Sequence, residues 1–137
     1  ERVGAMDIFA NEPSRTATRF QAGTPPVPSC YASVAGLELI LDIGAEAIES
    51  HVRGLTARAV DCFRGEGFDL ATPVAARGPM VAIRARDADA LTRRLTARQI
   101  ITSHRDGNLR AGFHLYNNEE DLERLVCALN DNRDLLA

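Results

Sequence analysis

Around Gly65 and Gly67 the apolar residues of this 137-residue chain change their spacing, and that switch restricts the fold more than any other feature. Upstream, hydrophobic residues recur every three to four positions, as they do in helices with one buried stripe. Downstream, short stretches alternate apolar with polar residues, as in half-buried strands, and these are interrupted by further helical runs. Helices segregated from a small strand-rich module point to an α+β fold.

Ser29 offers an N-cap for a first apolar helix over residues 30–42, with Val34, Leu37, Ile40 and Leu41 on one stripe. Gly44 breaks it. A longer helix over 45–64 places Ile48, Val52, Leu55, Ala59, Cys62 and Phe63 inward, and Glu46, Glu49, Arg53 and Arg58 toward solvent. Beyond the Gly65–Gly67 stop, 68–72 reads as a short strand closed by Pro73, and 79–84 as a stronger one. The spacing of Leu91 and Leu95 predicts a helix over 87–98, followed by a strand over 99–103. Asp106-Gly107 is a two-residue hairpin signal that joins this strand to another over 108–116. Asn117, with Glu120 three residues on, marks the start of a last helix with Leu122, Leu125, Val126 and Leu129 inward. The expectation is two leading helices, then a mostly antiparallel sheet with helices packed on one face.

Residues 1–28 hold no sustained period and contain Gly4, Pro13, Gly23, Pro25, Pro26 and Pro28, so they read as an extended or looped linker. Residues 29–137 then form the folded domain. Composition narrows the function classes. All sixteen basic residues are arginine, so no lysine amine of these residues is available for Schiff-base chemistry. A net charge of −3 and 5% aromatic residues supply neither the field nor the stacking platform of a nucleic-acid binder. No apolar run approaches the roughly 20 residues that a membrane helix needs. Cys30, Cys62 and Cys127 are far apart, which fits reduced thiols in a cytoplasmic protein better than a zinc site or a disulfide frame. Cys62 and Cys127 fall on apolar stripes, where a thiol behaves as a small hydrophobe.

Three features carry possible chemistry. Arg110 lies mid-strand opposite the apolar residues, on a face with Asn108, Gly112, His114 and Tyr116. A glycine beside a guanidinium leaves room for a planar anion held by two hydrogen bonds. From pattern alone, the simpler account is an arginine on a solvated sheet face. His104 stands at the hairpin and His114 on the Arg110 strand, with no triad or metal-ligand spacing around either. Gly23-Thr24 offers a backbone N–H and a hydroxyl to a phosphate, without matching a P-loop or dinucleotide fingerprint.

Taken together, the motifs resemble those of the class V aminotransferases, fold-type I pyridoxal-phosphate enzymes that include cysteine desulfurases and kynureninases. The stretch from Arg19 to Pro26, RFQAGTPP, resembles their RFE-x-GTP loop. RDGNLR ending at Arg110, followed by HLYN from His114 to Asn117, resembles their RDG-x-LR…H-x-YN segment. Glu120-Asp121-Leu122 with Leu125 and Leu129 resembles the closing helix. The resemblance implies a C-terminal small domain of an enzyme acting on an amino acid, by transamination or by lyase or desulfurase-type chemistry. It implies that the cofactor-binding lysine belongs to a large domain preceding residue 1. It implies a homodimer in which Gly23 and Thr24 reach the neighbouring subunit's cofactor phosphate. Arg110 would hold the substrate carboxylate, with His104 beside it in the substrate site, and this displaces the solvated-face account. The catalytic cysteine that desulfurases carry before the arginine strand has no counterpart between Cys62 and Cys127. The alternative, from another class, is a free-standing non-catalytic α+β domain for assembly or small-anion binding.

Overall fold

The computed structural model describes residues 13–21 and 23–137. The chain divides into two units, Glu1–Asp42 and Ile43–Ala137. The division falls one residue before the end of the first helix.

In the first unit, a short 3-10 turn at Ala17–Phe20 stands where a loop was expected. Its start is organised by hydroxyls: Thr18 Oγ1 donates to Ser14 Oγ at 2.8 Å, and the Thr16 N–H donates to the same oxygen at 3.2 Å. Such side chains compete for local backbone donors and favour turns. Helix α1 runs over Val27–Ile43 and starts before the predicted Cys30. Pro28 sits in its first turn, where a missing N–H costs nothing because that group has no helical partner anyway. The Cys30 N–H donates to the Pro26 carbonyl at 3.1 Å and closes that turn. Ser29 is thus inside the helix and does not cap it; its carbonyl accepts from the Ser33 hydroxyl. No residue of α1 is buried, and Tyr31, Leu37 and Leu41 are exposed.

The second unit begins with α2, Ala45–Gly65, whose Leu55, Thr56, Ala59, Val60 and Phe63 are buried. The Thr56 hydroxyl is satisfied inside the helix, donating to the Val52 and Arg53 carbonyls. Gly67, at φ 77°, ends α2. Its N–H donates to Arg64 O at 2.9 Å while the Phe68 N–H donates to Phe63 O at 2.9 Å. That paired arrangement is the Schellman stop, and its usual apolar contact is present, with the Phe63 and Phe68 rings 6.2 Å apart.

The sheet has three antiparallel strands in the order β1, β3, β2. They are β1 Met80–Arg84, β2 Ser103–Arg105 and β3 Asn108–Gly112, with α3 at Ala88–Ala97 between β1 and β2. Asp106 and Gly107 take φ values of 51° and 74°, the two left-handed residues that a tight hairpin turn requires. Three expected strand segments are shorter than their pattern. Residues 68–72 form only an isolated bridge, Leu70 with Ile83, because Pro73 follows and the Thr72 hydroxyl, not a backbone carbonyl, accepts the Ala82 N–H. Residues 99–102 are not strand, because Gln99 adopts φ 61° to end α3 by the same stop that ends α2, with Ile100 N–H donating to Leu95 O. Strand β3 stops at Gly112, because the His114 N–H turns to the Asn117 side chain. His114 and Tyr116 therefore leave the face of Arg110.

Helix α4, Glu119–Asn130, is capped by Asn118 and Asp121 in a reciprocal box, one residue after the predicted cap. Leu122, Leu125, Ala128 and Leu129 are buried and Val126 packs partly against them. Helices α2 and α4 run in the same direction: His51 bonds the Asn117 carbonyl, Arg58 pairs with Glu119, and Glu66 pairs with Arg133. Cys62 and Cys127 are exposed rather than buried, since each lies just off its helix's inward stripe. The core joins Phe63, Val60, Leu91, Leu95, Leu125 and Leu129 to Val81, Ile83, Leu109 and Ala111 on one face of the sheet. Asp69–Thr72 and Ala137 cover the outer edge of β1 through hydrogen bonds to Ala82 and Arg84. The α+β class and the one-sided helix packing are as the sequence predicts.

Candidate functional site

Because side chains alternate across a strand, the core on one face fixes what the other face presents. The register pairs Ala82 with Arg110, Met80 with Gly112 and Arg84 with Asn108. On the other side of β3, Ser103 pairs with Arg110 and Arg105 with Asn108. Met80, Ala82, Arg84, Asn108, Arg110, Gly112, Ser103 and Arg105 therefore share the face away from the core.

Three guanidinium groups stand on that face, and two have carboxylate partners. Arg84 pairs with Asp69 at 3.3 Å, and Arg105 with Asp106 at 3.6 Å. Arg110 has no carboxylate partner among the described residues. It is partly buried, and its Nε–H faces the Met80 thioether. Two residues along the same face, a Cβ built on Gly112 would meet nothing within 4 Å, so the face is open at that position. A fixed, uncompensated guanidinium on an open face can hold a planar anion.

His104 pairs with Leu109 in the register and so lies on the helix-packed face, opposite Arg110. Its Nδ1 is 3.3 Å from Thr92 Oγ1 of α3. The Thr92 hydroxyl already donates to Ala88 O, which leaves its oxygen to accept from His104. The two residues predicted to share a substrate site are thus not brought together. His114 stacks on Tyr116 with ring centroids 4.9 Å apart, beyond the end of β3. Gly23 and Thr24 form an exposed bend just before α1, in the first unit. Where the pairing of β2 with β3 stops, a cleft of about 490 Å³ opens between Ile100–Thr102 and Ala111–Phe113. The Thr102 hydroxyl, buried at its margin, has no partner among the described residues. The residue that pattern reading missed is Met80, because its contact with Arg110 is diagonal across β1 and β3 and depends on register.

The model of the kynureninase C-terminal domain matches residues 48–129, which include most of α2, the whole sheet and nearly all of α4. The chain belongs to the kynureninase C-terminal domain family. It is similar to the C-terminal portion of class V aminotransferase-like proteins. An uncharacterized aminotransferase YcbU of Bacillus subtilis is 34% identical over 90% of this chain and 34% of its own length. A probable cysteine desulfurase of Halobacterium salinarum is 29% identical over 100% of this chain and 36% of its own. The chain spans about a third of the length of these curated relatives. Two solved structures share the fold. The apo cysteine desulfurase of Thermococcus onnurineus has a TM-score of 0.74 at 21% identity, over 85% of this chain and 33% of that one. A NifS-like protein has a TM-score of 0.69 at 19% identity, over 82% and 35%.

The family's cofactor asks for a lysine amine, phosphate donors and a means of holding the substrate. This chain has no lysine; the exposed Gly23-Thr24 bend and Arg110 have the donor types that the other two require. Among the described residues, no helix is long and apolar enough to cross a membrane.

Proposed function

We propose that the open face of the sheet is the substrate-carboxylate half of an amino-acid-converting active site, with Arg110 as the clamp. The observation that carries this reading is the charge pattern of that face: two arginines are matched by carboxylates and Arg110 is not. An amino-acid α-carboxylate supplies the missing charge and accepts two parallel N–H bonds. Holding it there fixes the orientation of the substrate Cα, and such positioning is a large part of what a protein adds to cofactor chemistry. When bound, pyridoxal phosphate supplies an electron sink for the charge released at that carbon.

The parent enzyme is proposed to be a cytoplasmic homodimer that transaminates an amino acid or cleaves it at Cα or Cβ. In it, the Gly23 N–H and the Thr24 hydroxyl would donate to the cofactor phosphate, and a lysine outside these residues would anchor the cofactor. His104 is left out of the clamp, because a residue bonded to Thr92 on the far face does not reach a ligand held by Arg110. With no cysteine in the 63–126 interval, a persulfide-forming route gains no support from this half of the site.

The test is a titration of the isotope-labelled chain followed by nuclear magnetic resonance. L-alanine should shift the Arg110 guanidinium and the Gly112 amide, whereas L-alaninol, which lacks the carboxylate, should not. Arg110→Gln should abolish the difference. Equal responses to the two ligands, or shifts that map away from the open face, would rule the clamp out.

A further inference from the structure

Beyond the clamp itself, and resting on that reading, we infer that Met80 is a positioning residue for Arg110. Its thioether binds the Nε–H and leaves the Nη1–Nη2 edge of the guanidinium for the carboxylate. The contact joins residues on adjacent strands, Met80 in β1 and Arg110 in β3, both on the open face. A guanidinium has five N–H donors in a fixed plane, so occupying Nε selects which edge stays free. The chemistry of the acceptor matters as much as its place. A carboxylate at Met80 would hold Arg110 equally well but would cancel its charge, as Asp69 does for Arg84. A thioether is a weak and uncharged acceptor, so it orients the group and leaves its full charge for an incoming anion.

Three substitutions separate this role from packing. Met80→Leu keeps size and apolar character but has no acceptor. Met80→Gln keeps an uncharged acceptor, and Met80→Glu supplies a charged one. Each is compared with the unmodified chain in two measurements: solvent exchange of the Arg110 Nε–H, and titration with acetate followed at the guanidinium. Exchange should be slowed in the unmodified chain, in Met80→Gln and in Met80→Glu, and should be fast in Met80→Leu. Acetate affinity should follow Met ≈ Gln > Leu > Glu, with a loss of roughly three- to ten-fold for Leu, the value of one modest hydrogen bond. A residue that only packs would give a different order, with Leu tolerated better than Gln. Unprotected Nε–H in the unmodified chain, or Leu binding acetate as well as Met, overturns the assignment. If exchange follows the expected order but no variant binds acetate or L-alanine, the orienting contact stands and the clamp reading fails.

Discussion

Asn132 shows how single polar residues hold this fold together. It is buried at 4% exposure, yet its Nδ2 donates to Ala128 O at 2.7 Å and its Oδ1 accepts from Arg94 at 3.0 Å. Both ends are therefore satisfied, and the second bond ties α3 to the C-terminal segment. Asn132→Ala should destabilise the chain by about 1–3 kcal/mol, since it removes one bond inside the core and frees a buried carbonyl; urea unfolding measures this. A loss below a few tenths of a kcal/mol would mean that water takes over both bonds. At this scale the sequence was partly informative. Arg110 could be singled out because an arginine at a polar-face position of an alternating strand is visible in the pattern. Met80 could not, because nothing local marks a residue thirty positions upstream as its neighbour. His104 was placed beside Arg110 by the family resemblance, whereas the pleat sends it to the other side.

At the level of elements, what could be read was whatever a strong local signal decides. Helix α2 and the Asp106-Gly107 hairpin lie where periodicity and turn chemistry put them. The ends of the shorter elements were displaced where two residues compete for one role. Asn117 and Asn118 both suit an N-cap, and Asn118 takes it because Asp121 then completes the reciprocal bond. Asn117 instead accepts the His114 N–H, which ends β3, and donates to Asp121. Asn118→Ala should cost about 1 kcal/mol of stability, as loss of a cap usually does. Chemical denaturation of the single variant gives this number, and a neutral result would show Asn117 substituting as the cap. Likewise, nothing in the pattern warned that Gln99 would occupy a left-handed position usually reserved for glycine. Its placement follows from Leu95 and Ile100 closing the end of α3.

Across the whole second unit, stability rests on the shared apolar core and not on its ion pairs. In seven of the eight pairs both side chains are about half exposed or more, and in the Arg133–Glu66 pair they are 51% and 40% exposed. Pairs of this kind contribute well under about 1 kcal/mol each and are screened by salt. Raising sodium chloride from about 0.1 to 0.5 M, where the screening length falls to a few ångströms, should leave the thermal midpoint nearly unchanged; a fall of many degrees would assign the ion pairs a larger share. The α+β architecture was legible because the change of period at Gly65–Gly67 is a property of many residues at once. The sheet also separates two kinds of position. Its even-numbered β3 positions face the open side and its odd-numbered ones the helices, so on the proposed function a substitution on the open side changes binding while leaving the core untouched. Paired substitutions drawn from opposite sides of β3 should consequently combine additively, one moving affinity and the other moving the unfolding midpoint.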